Sequence, residues 1–326
     1  MKAIGLLSGG LDSTLAVQLM VEQGVEVIAV KFTSPFCQCD SAGCCHAAQV
    51  AERLGIPLKL LPKGDAYLRL LRDPPHGRGS NMNPCIDCRI YMLRLTKTYM
   101  EEIGAAFIFT GEVLGQRPMS QHRQAMDLIA REAGLEGRLL RPLCAHHFPP
   151  TEAENNGWVD RARLLDITGR SRKPQLALAA ERGIKDFSCP AGGCLLTDPR
   201  FSMRLRDCFA HQAELTGRDI ALLKVGRHFR VGGSKIVCGR DQRENEMLQR
   251  QKTAAEWLFE SIDRAGPTVL LQGEVGEAAV QFAAEVTAAY SDGPAETVDV
   301  RARSPQGERT IQVAKPDRER LRGNLI

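Results

Sequence analysis

Residues 8–13, with the sequence SGGLDS, have the side chains of a phosphate-binding loop. They follow an apolar run typical of a strand and precede a stretch typical of a helix. Glycines at such a turn let backbone N–H groups approach phosphate oxygens, and the helix N-terminus adds a favourable dipole. Asp12 is the natural partner for Mg²⁺ in this otherwise neutral loop. Neither G-K-[ST] nor G-x-G-x-x-G occurs here, which argues against a P-loop nucleoside triphosphatase and a dinucleotide-binding protein.

The cysteines are a second group that could carry chemistry. The chain has 11 of them. Eight occur in close pairs: Cys37 and Cys39, Cys44 and Cys45, Cys85 and Cys88, and Cys189 and Cys194. In a chain of this length, an odd number with such spacing favours metal, iron–sulfur or redox chemistry over a disulfide framework.

Three further cysteines have different surroundings. Cys208 and Cys238 lie among apolar or β-like residues, which predicts buried side chains. Cys144 lies beside two histidines in a proline-rich stretch, where we expect a solvated loop residue, although a ligand role stays open.

Short strands and helices alternate around these residues. Apolar runs predict strands at 3–7, 25–32, 58–61 and 106–110, and helical patterns lie at 14–23, 47–54, 86–103 and 174–182. This alternation predicts an α/β fold with a doubly wound parallel sheet. Ligands bind at the carboxyl ends of strands in such sheets, so residues 8–13, the region after Phe32 and residues 110–112 should share one edge.

The chain is long enough for two or three domains, with 326 residues of which 43% are hydrophobic. We expect a phosphate-loop domain at 1–165, a connecting segment with Cys189 and Cys194 at 166–210, and a smaller α+β domain at 211–326. The last boundary follows from the change in sequence pattern after Cys208.

A net charge of +4 does not by itself indicate nucleic-acid binding, so local clusters matter. The sequence GRSRKPQ at 169–175 places three cations before a predicted helix, where they suit phosphate contacts. The candidate RNA-binding residues are Arg170, Arg172, Lys173, Arg227 and Lys235. No apolar run approaches the ~20 residues that span a bilayer, so we expect a cytoplasmic protein with no membrane partner.

The loop at 8–13 resembles the PP-loop of the N-type ATP pyrophosphatases, which adenylate a carbonyl oxygen and release pyrophosphate. Three further motifs, NPCIDCR at 83–89, TGEVLGQRPMSQ at 110–121 and CPAGGCLLTD at 189–198, resemble segments of the PP-loop tRNA sulfurtransferases, namely the 2-thiouridylases and 4-thiouridine synthases. The resemblance implies an adenine nucleotide alpha hydrolase-like fold and binding of ATP with Mg²⁺. The residues that it implies for this binding are Ser8, Gly9, Gly10, Asp12, Ser13, Gly111 and Gln116.

The same resemblance implies that sulfur replaces a uracil carbonyl oxygen in tRNA, with Asp12, Cys88 and Cys194 as catalytic residues. One branch of the family carries a cysteine persulfide, and another binds a [4Fe-4S] cluster through three cysteines. The corresponding ligands here are Cys85, Cys88 and Cys194, and Cys189 is an alternative to Cys194. A Zn²⁺ site that includes Cys85 and Cys88 stays open.

A second metal site is an expectation for CQCDSAGCCH at 37–46, which holds Cys37, Cys39, Cys44 and Cys45. Its spacing does not match a zinc ribbon, so zinc and a second cluster both stay open. The sulfur donor is expected to be sulfide or a cysteine desulfurase.

The carboxyl-terminal third, with GRHFRVGGSKIVCGRDQRENE at 226–246, resembles the RNA-binding domain of the NFACT proteins. This resemblance implies an RNA substrate. Two alternatives stay open: an amide-forming PP-loop synthetase that acts on a small molecule, and a non-catalytic RNA-binding protein. Formation of AMP from ATP in the presence of tRNA would exclude the second.

Overall fold

The structure is a computed structural model that describes residues 1–37, 46–185, 187, 194–294 and 296–326. The chain forms two compact units, residues 1–197 and 198–326. Within the described ranges, no helix is long and apolar enough to cross a membrane.

The first unit alternates strands with helices along the chain. Its strands are β1 (Lys2–Leu6), β2 (Glu26–Thr33), β3 (Leu58–Pro62), β4 (Phe107–Thr110) and β5 (Leu139–Leu140). Its helices are α1 (Leu11–Glu22), α2 (His46–Arg53), α3 (Gly64–Arg72), α4 (Cys85–Glu102), α5 (Arg123–Glu132), α6 (Glu152–Asn155) and α7 (Lys173–Glu181). Short 3-10 helices lie at Ala145–His147, Arg161–Arg163 and Leu195–Thr197.

The five strands form one parallel sheet in the order β3-β2-β1-β4-β5. The register pairs Ala3 of β1 with Val27 of β2 on one side and with Phe107 of β4 on the other. The strand order reverses between β1 and β4, and this switch point is where doubly wound sheets bind ligands. The predicted fold of this part of the chain is therefore confirmed.

Both faces of the sheet are covered, because β1 sends alternate side chains to opposite sides. Ala3 packs with α1, α2 and α7 in one core cluster, which also contains Val17 and Ala179. Ile4 packs with α4 and α5 in another, which contains Leu93 and Ile129. The apolar run of the central strand thus follows from burial on two sides.

The second unit is an antiparallel sheet with helices on both faces. Its strands are β6 (Arg227–Val231), β7 (Ser234–Cys238), β8 (Trp257–Ser261), β9 (Val269–Gln272), β10 (Thr297–Ser304) and β11 (Gly307–Ala314), in the order β11-β10-β8-β9-β7-β6. Its helices are α8 (Pro199–His211), α9 (Gly217–Leu223), α10 (Gln242–Gln251) and α11 (Glu277–Tyr290), followed by a 3-10 helix at Arg318–Asn324.

Helix α11 covers one face of this sheet with a row of small side chains that includes Ala283 and Ala284. Leu222 and Leu248, from α9 and α10, pack in a separate cluster with Val237 and Leu270. The expected smaller α+β unit is therefore confirmed.

The second unit begins earlier than the boundary that we expected near residue 211. Helix α8 belongs to it, because Arg204 donates to the carbonyls of Leu223 and Gly226 and Asp207 pairs with Arg230. The division of the chain into three functional segments, at 165 and at 210, stays a prediction.

Candidate active site

A cavity of about 760 Å³ lies at the carboxyl ends of β1 and β4 in the first unit. Its wall includes four segments that are distant in the sequence: the loop at 8–13, residues 110–121, the first turn of α4, and the residues around Cys194. A cavity thus lies at the sheet edge that the sequence predicted, and residues of the predicted motifs line it.

The loop at 8–13 is held in one conformation by its own hydrogen bonds. The Ser13 hydroxyl accepts from the Ser8 amide at 3.2 Å and donates to the Gly10 carbonyl at 2.9 Å. Gly9 has a φ of +83°, and a Cβ there would lie 2.8 Å from the Ala47 amide nitrogen. Only glycine fits this position, since it combines a left-handed backbone with close contact to α2.

Asp12 lies in the first turn of α1 and faces the cavity. The Gln116 amide donates to its Oδ2 at 2.8 Å, and Gln175 donates to Gln116 at 3.2 Å. The other oxygen, Oδ1, is buried and makes no hydrogen bond with the described residues. A buried carboxylate oxygen without a partner is a suitable ligand for a hard cation such as Mg²⁺.

Gly111 brings the end of β4 against the loop. A Cβ at this position would lie 2.5 Å from the backbone of Asp12 and Ser13. The glycine therefore allows β4 and the N-terminus of α1 to touch, which closes the cavity on this side.

Cys85, Cys88 and Cys194 all line this cavity. Cys85 and Cys88 occupy the first turn of α4, after Pro84. Cys194 precedes a 3-10 helix and is half-buried. Among the residues that the structure describes, no three histidine, cysteine, aspartate or glutamate side chains are already gathered as a metal site. The three thiols nevertheless share a cavity, and three thiols are the right donor set for an iron–sulfur cluster.

The three thiols have different electrostatic surroundings. Burial alone would raise the pKa of Cys88, but Lys63, whose Nζ lies 3.1 Å from Sγ, and Tyr67 outweigh burial and lower it. Burial raises the pKa of Cys194 to about 11, and burial together with the charge of Cys88 raises the pKa of Cys85. Cys88 is thus the thiol that is most readily present as a thiolate.

Glu112 is a buried charge at the base of the cavity, with a side chain only 2% exposed. Burial would raise its pKa, but Arg89 and Arg141 lower it, with Arg141 Nε at 3.2 Å and Arg89 Nε at 3.5 Å. Thr110 donates a further hydrogen bond. Glu112 fixes both arginines, and Arg89 lines the cavity beside the cysteines.

The predicted RNA-binding residues are divided between the two units. Arg170 and Arg172 line the cavity, and Lys173 is exposed at the start of α7. In the second unit, the Arg227 guanidinium lies 4.4 Å from the centre of the Tyr290 ring.

Lys235 does not suit the RNA-binding role that the sequence predicted for it. It is 5% exposed, and its ammonium lies 2.8 Å from Cys208 Sγ and 3.8 Å from Asp207. A buried, paired ammonium is not available to a phosphate group, so the structure does not support this RNA contact.

The expected second metal group at 37–46 is described only at its two ends. Cys37 lines the cavity of the first unit, whereas Cys39, Cys44 and Cys45 lie outside the described residues. Cys189, the alternative to Cys194, lies outside them as well.

The remaining cysteines are buried. Cys208 and Cys238 are 2% and 0% exposed, as predicted. The expectation of a solvated Cys144 was wrong, because this residue is fully buried and its thiol donates to the carbonyl of Glu112 at 3.2 Å.

Several site residues were not among those predicted from the sequence. Lys63 and Tyr67 contact Cys88, and Arg117 lines the cavity near Cys85. Lys63 directly follows β3, so the rule that ligands lie beyond the carboxyl ends of strands could have found it. Tyr67 is buried inside α3, and no motif marks it.

Family models match both parts of the chain. Residues 1–147 match the model described as thiamine biosynthesis protein (ThiI), and residues 226–324 match the NFACT protein RNA binding domain. Both resemblances seen in the motifs are confirmed.

Individual relatives agree with these matches. A probable tRNA sulfurtransferase of Methanothermobacter thermautotrophicus is 32% identical over 146 residues, 44% of this chain and 36% of that protein. The tRNA-specific 2-thiouridylase MnmA of Acidithiobacillus ferrooxidans is 27% identical over 263 residues, 73% of this chain and 68% of that protein. This chain thus spans about a third of the length of the first relative and about two thirds of the second.

One similar solved structure is a 4-thiouridine synthetase in complex with RNA and ATP. It is 23% identical, the match covers 68% of this chain and 52% of that one, and the TM-score is 0.40.

Proposed function

We propose that this protein is an ATP-dependent tRNA uridine thiolation enzyme, which adenylates a uracil carbonyl and then replaces its oxygen with sulfur. One observation carries the proposal: the PP-loop and the three thiols Cys85, Cys88 and Cys194 line the same cavity. An amide-forming synthetase needs the loop but has no use for the thiols. The names of the relatives support the same reaction.

In the first step, the carbonyl oxygen of uracil attacks the α-phosphorus of ATP, and the bond to the departing pyrophosphate breaks. The loop of Ser8, Gly9, Gly10 and Ser13 offers amides and hydroxyls to the pyrophosphate at the N-terminus of α1. The unpartnered Oδ1 of Asp12 would hold Mg²⁺, which neutralises charge on the phosphates. Gln116 fixes the Asp12 carboxylate, and Gly111 allows its close placement.

In the second step, a sulfur nucleophile attacks the activated carbon, and AMP departs with the original oxygen. Cys85, Cys88 and Cys194 would hold the sulfur next to the adenylate. A [4Fe-4S] cluster bound by these three thiols would supply an open iron for hydrosulfide. Without a cluster, the outer sulfur of a Cys88 persulfide would attack the carbon as AMP departs. The Cys194 thiol would then attack the Cys88 sulfur, break the S–S bond and release the thiouridine, which leaves a Cys88–Cys194 disulfide. Lys63 lowers the pKa of Cys88 and so favours the thiolate form that either role requires.

The second unit supports tRNA as the substrate, because its residues 226–324 match an RNA-binding domain. Arg170, Arg172 and Lys173 add cations at and beside the cavity, where they would contact tRNA phosphates. The sulfur donor would be sulfide or a cysteine desulfurase. A Zn²⁺ or second cluster at 37–46 stays a prediction.

The deciding experiment incubates the protein with unmodified tRNA, Mg²⁺-ATP and sulfide under anaerobic conditions and analyses the nucleosides by mass spectrometry. We expect one thiouridine and an equal amount of AMP. Cys88→Ala should lose the thiouridine and keep ATP binding. Cys238→Ala, a buried cysteine of the second unit, is the matched control and should keep both.

Three outcomes would contradict the proposal. Normal thiolation by Cys88→Ala would remove this thiol from the mechanism. AMP formed without tRNA, together with no thionucleoside, would favour a small-molecule synthetase, while no AMP at all would favour a non-catalytic RNA-binding protein.

A further inference from the structure

Cys37 and Cys194 stand opposite each other in an isolated antiparallel β-bridge. The sequence assigned them to different groups, since they are far apart in the chain. The bridge brings together the segment after β2 and the segment before the 3-10 helix at Leu195–Thr197, and both cysteines line the cavity.

The hydrogen bond beside this bridge shows how the two cysteines face each other. The amide of Leu195 donates to the carbonyl of Phe36 at 2.9 Å, so the bond joins the residue after Cys194 to the residue before Cys37. This pattern places the cysteines in a non-hydrogen-bonded position, where the Cα atoms of an antiparallel pair lie about 4.5 Å apart and the side chains are closest. Disulfides need Cα separations of about 4.4 to 6.8 Å, so the backbone geometry permits one.

The segment after Cys194 is also held from its other side. The amide of Met82 donates to the carbonyl of Leu196 at 3.0 Å, and the side chain of Asn81 donates to the carbonyl of Thr197 at 2.7 Å. Leu196 is fully buried. Cys194 is therefore fixed opposite Cys37 by the fold rather than by chance approach of two loops.

We propose that Cys37 and Cys194 form a reversible disulfide when the protein is exposed to a peroxide. The thiolate of one cysteine attacks a peroxide oxygen, the O–O bond breaks, and a sulfenic acid forms. The sulfur of the other cysteine then attacks the sulfenic sulfur, the S–O bond breaks, and water leaves with the thiol proton. The peroxide gains the two electrons that the thiols lose, and a dithiol later reduces the disulfide back to two thiols by thiol–disulfide exchange.

This disulfide would act on the site described above, and its consequence for catalysis rests on the proposed function. A disulfide occupies the Cys194 sulfur, so Cys194 could then neither hold a cluster nor carry a persulfide. Disulfides in a reducing compartment are usually transient and redox-sensing, which suits a half-buried pair at an open cavity.

The disulfide can be mapped without tRNA or ATP, so the result does not depend on thiolation. The purified protein is treated with hydrogen peroxide, alkylated in denaturant and digested with trypsin. Cys37 lies in the peptide 32–53 and Cys194 in the peptide 186–200. Both contain other cysteines, so fragmentation spectra assign the link in the natural chain. A variant with Cys39→Ser, Cys44→Ser, Cys45→Ser and Cys189→Ser gives an independent assignment.

We expect the two peptides to be joined, with the loss of two hydrogens, and to separate after dithiothreitol. Adding Cys37→Ser to the variant should abolish the link. The proposal is overturned if no link forms, if peptide 186–200 joins the 79–89 peptide of Cys85 and Cys88 instead, or if the yield is the same when peroxide is added to unfolded protein.

Discussion

The Gln116 side chain donates a hydrogen bond of 2.8 Å to the Asp12 carboxylate, and this contact joins the 110–121 motif to the PP-loop. It leaves Asp12 Oδ1 buried and without a hydrogen-bond partner in the described structure. Asp12→Asn keeps the shape of the side chain and an acceptor for Gln116 but removes the charge that Mg²⁺ requires. We expect pyrophosphate release to fall by about 100-fold or more, with an unchanged melting temperature.

Asp127→Asn is the matched control for this change. Asp127 is half exposed and pairs with Arg123 on the surface of α5. Its replacement should leave pyrophosphate release unaltered. Equal activity of Asp12→Asn and the natural protein would show that Asp12 does not hold the metal.

Gly111→Ala tests the contact between β4 and the PP-loop. The added Cβ would lie 2.5 Å from the backbone of Asp12 and Ser13, so the N-terminus of α1 must shift. We expect loss of ATP binding in calorimetry and a decrease of ~1–3 kcal/mol in the free energy of unfolding.

Gly217→Ala is the matched control, and we expect it to stabilise the protein, whereas Gly111→Ala should destabilise it. Gly217 opens α9, and no atom lies within 4 Å of a Cβ at this position. The alanine should raise the free energy of unfolding of its unit by ~0.4–1 kcal/mol and leave ATP binding intact. If both variants had the same ATP affinity and the same change in the free energy of unfolding, the close contact at Gly111 would not be needed for ATP binding.

Glu112→Gln should destabilise the first unit strongly. It leaves Arg141, 6% exposed, without its charged partner, and breaking such a buried pair costs about 3–5 kcal/mol. Chemical denaturation at neutral pH measures this loss.

The same residue predicts a pH dependence. The pKa of Glu112 lies below its ordinary value of 4.5. The Glu112–Arg141 pair therefore contributes fully to the free energy of unfolding above about pH 4.5, and this contribution is lost as the pH falls through the folded-state pKa. The difference in stability between the natural protein and Glu112→Gln should therefore shrink in acid. A difference that stays constant from about pH 7 to about pH 3 would contradict the prediction.

The basic residues should separate into two classes by the salt dependence of tRNA binding. Arg170→Gln with Lys173→Gln removes two cations at and beside the cavity and should lower the slope of log affinity against log salt by ~1–2. Lys235→Met should leave that slope unchanged and lower the stability of the second unit by ~1–3 kcal/mol, since its ammonium is buried against Cys208 and Asp207. Arg94→Gln, an exposed cation on α4, is the control. An unchanged slope for the double variant would exclude these phosphate contacts.

Much of the first unit could be predicted from the sequence because its signals are local. The strands and helices expected around the PP-loop begin and end within about three residues of the observed ones, since apolar periodicity and glycine turns report local backbone preference. Helices α3, α5 and α6 and the two-residue strand β5 were not predicted. The PP-loop itself was found because glycines and Asp12 lie within six consecutive residues.

Charge type alone did not predict exposure. Lys235 looked like Arg227 in a basic stretch, yet it lies in β7 opposite Arg230 of β6, and both Lys235 and Arg230 pair with Asp207 of α8. Cys144 looked solvated beside two histidines, yet its thiol is buried against the backbone of Glu112. Which face of a strand or turn a residue occupies depends on its packing partners, which local sequence does not contain.

The sequence by itself determined the doubly wound fold and the PP-loop, and it marked the Cys85–Cys88 pair, because each is encoded by residues close together in the chain. The tertiary structure alone decided that Lys63 lies beside Cys88, that Gln116 holds Asp12, and that Cys37 faces Cys194. These contacts join residues between 25 and more than 100 positions apart. They arise where parallel strands end at one sheet edge, and only the folded sheet brings those ends together.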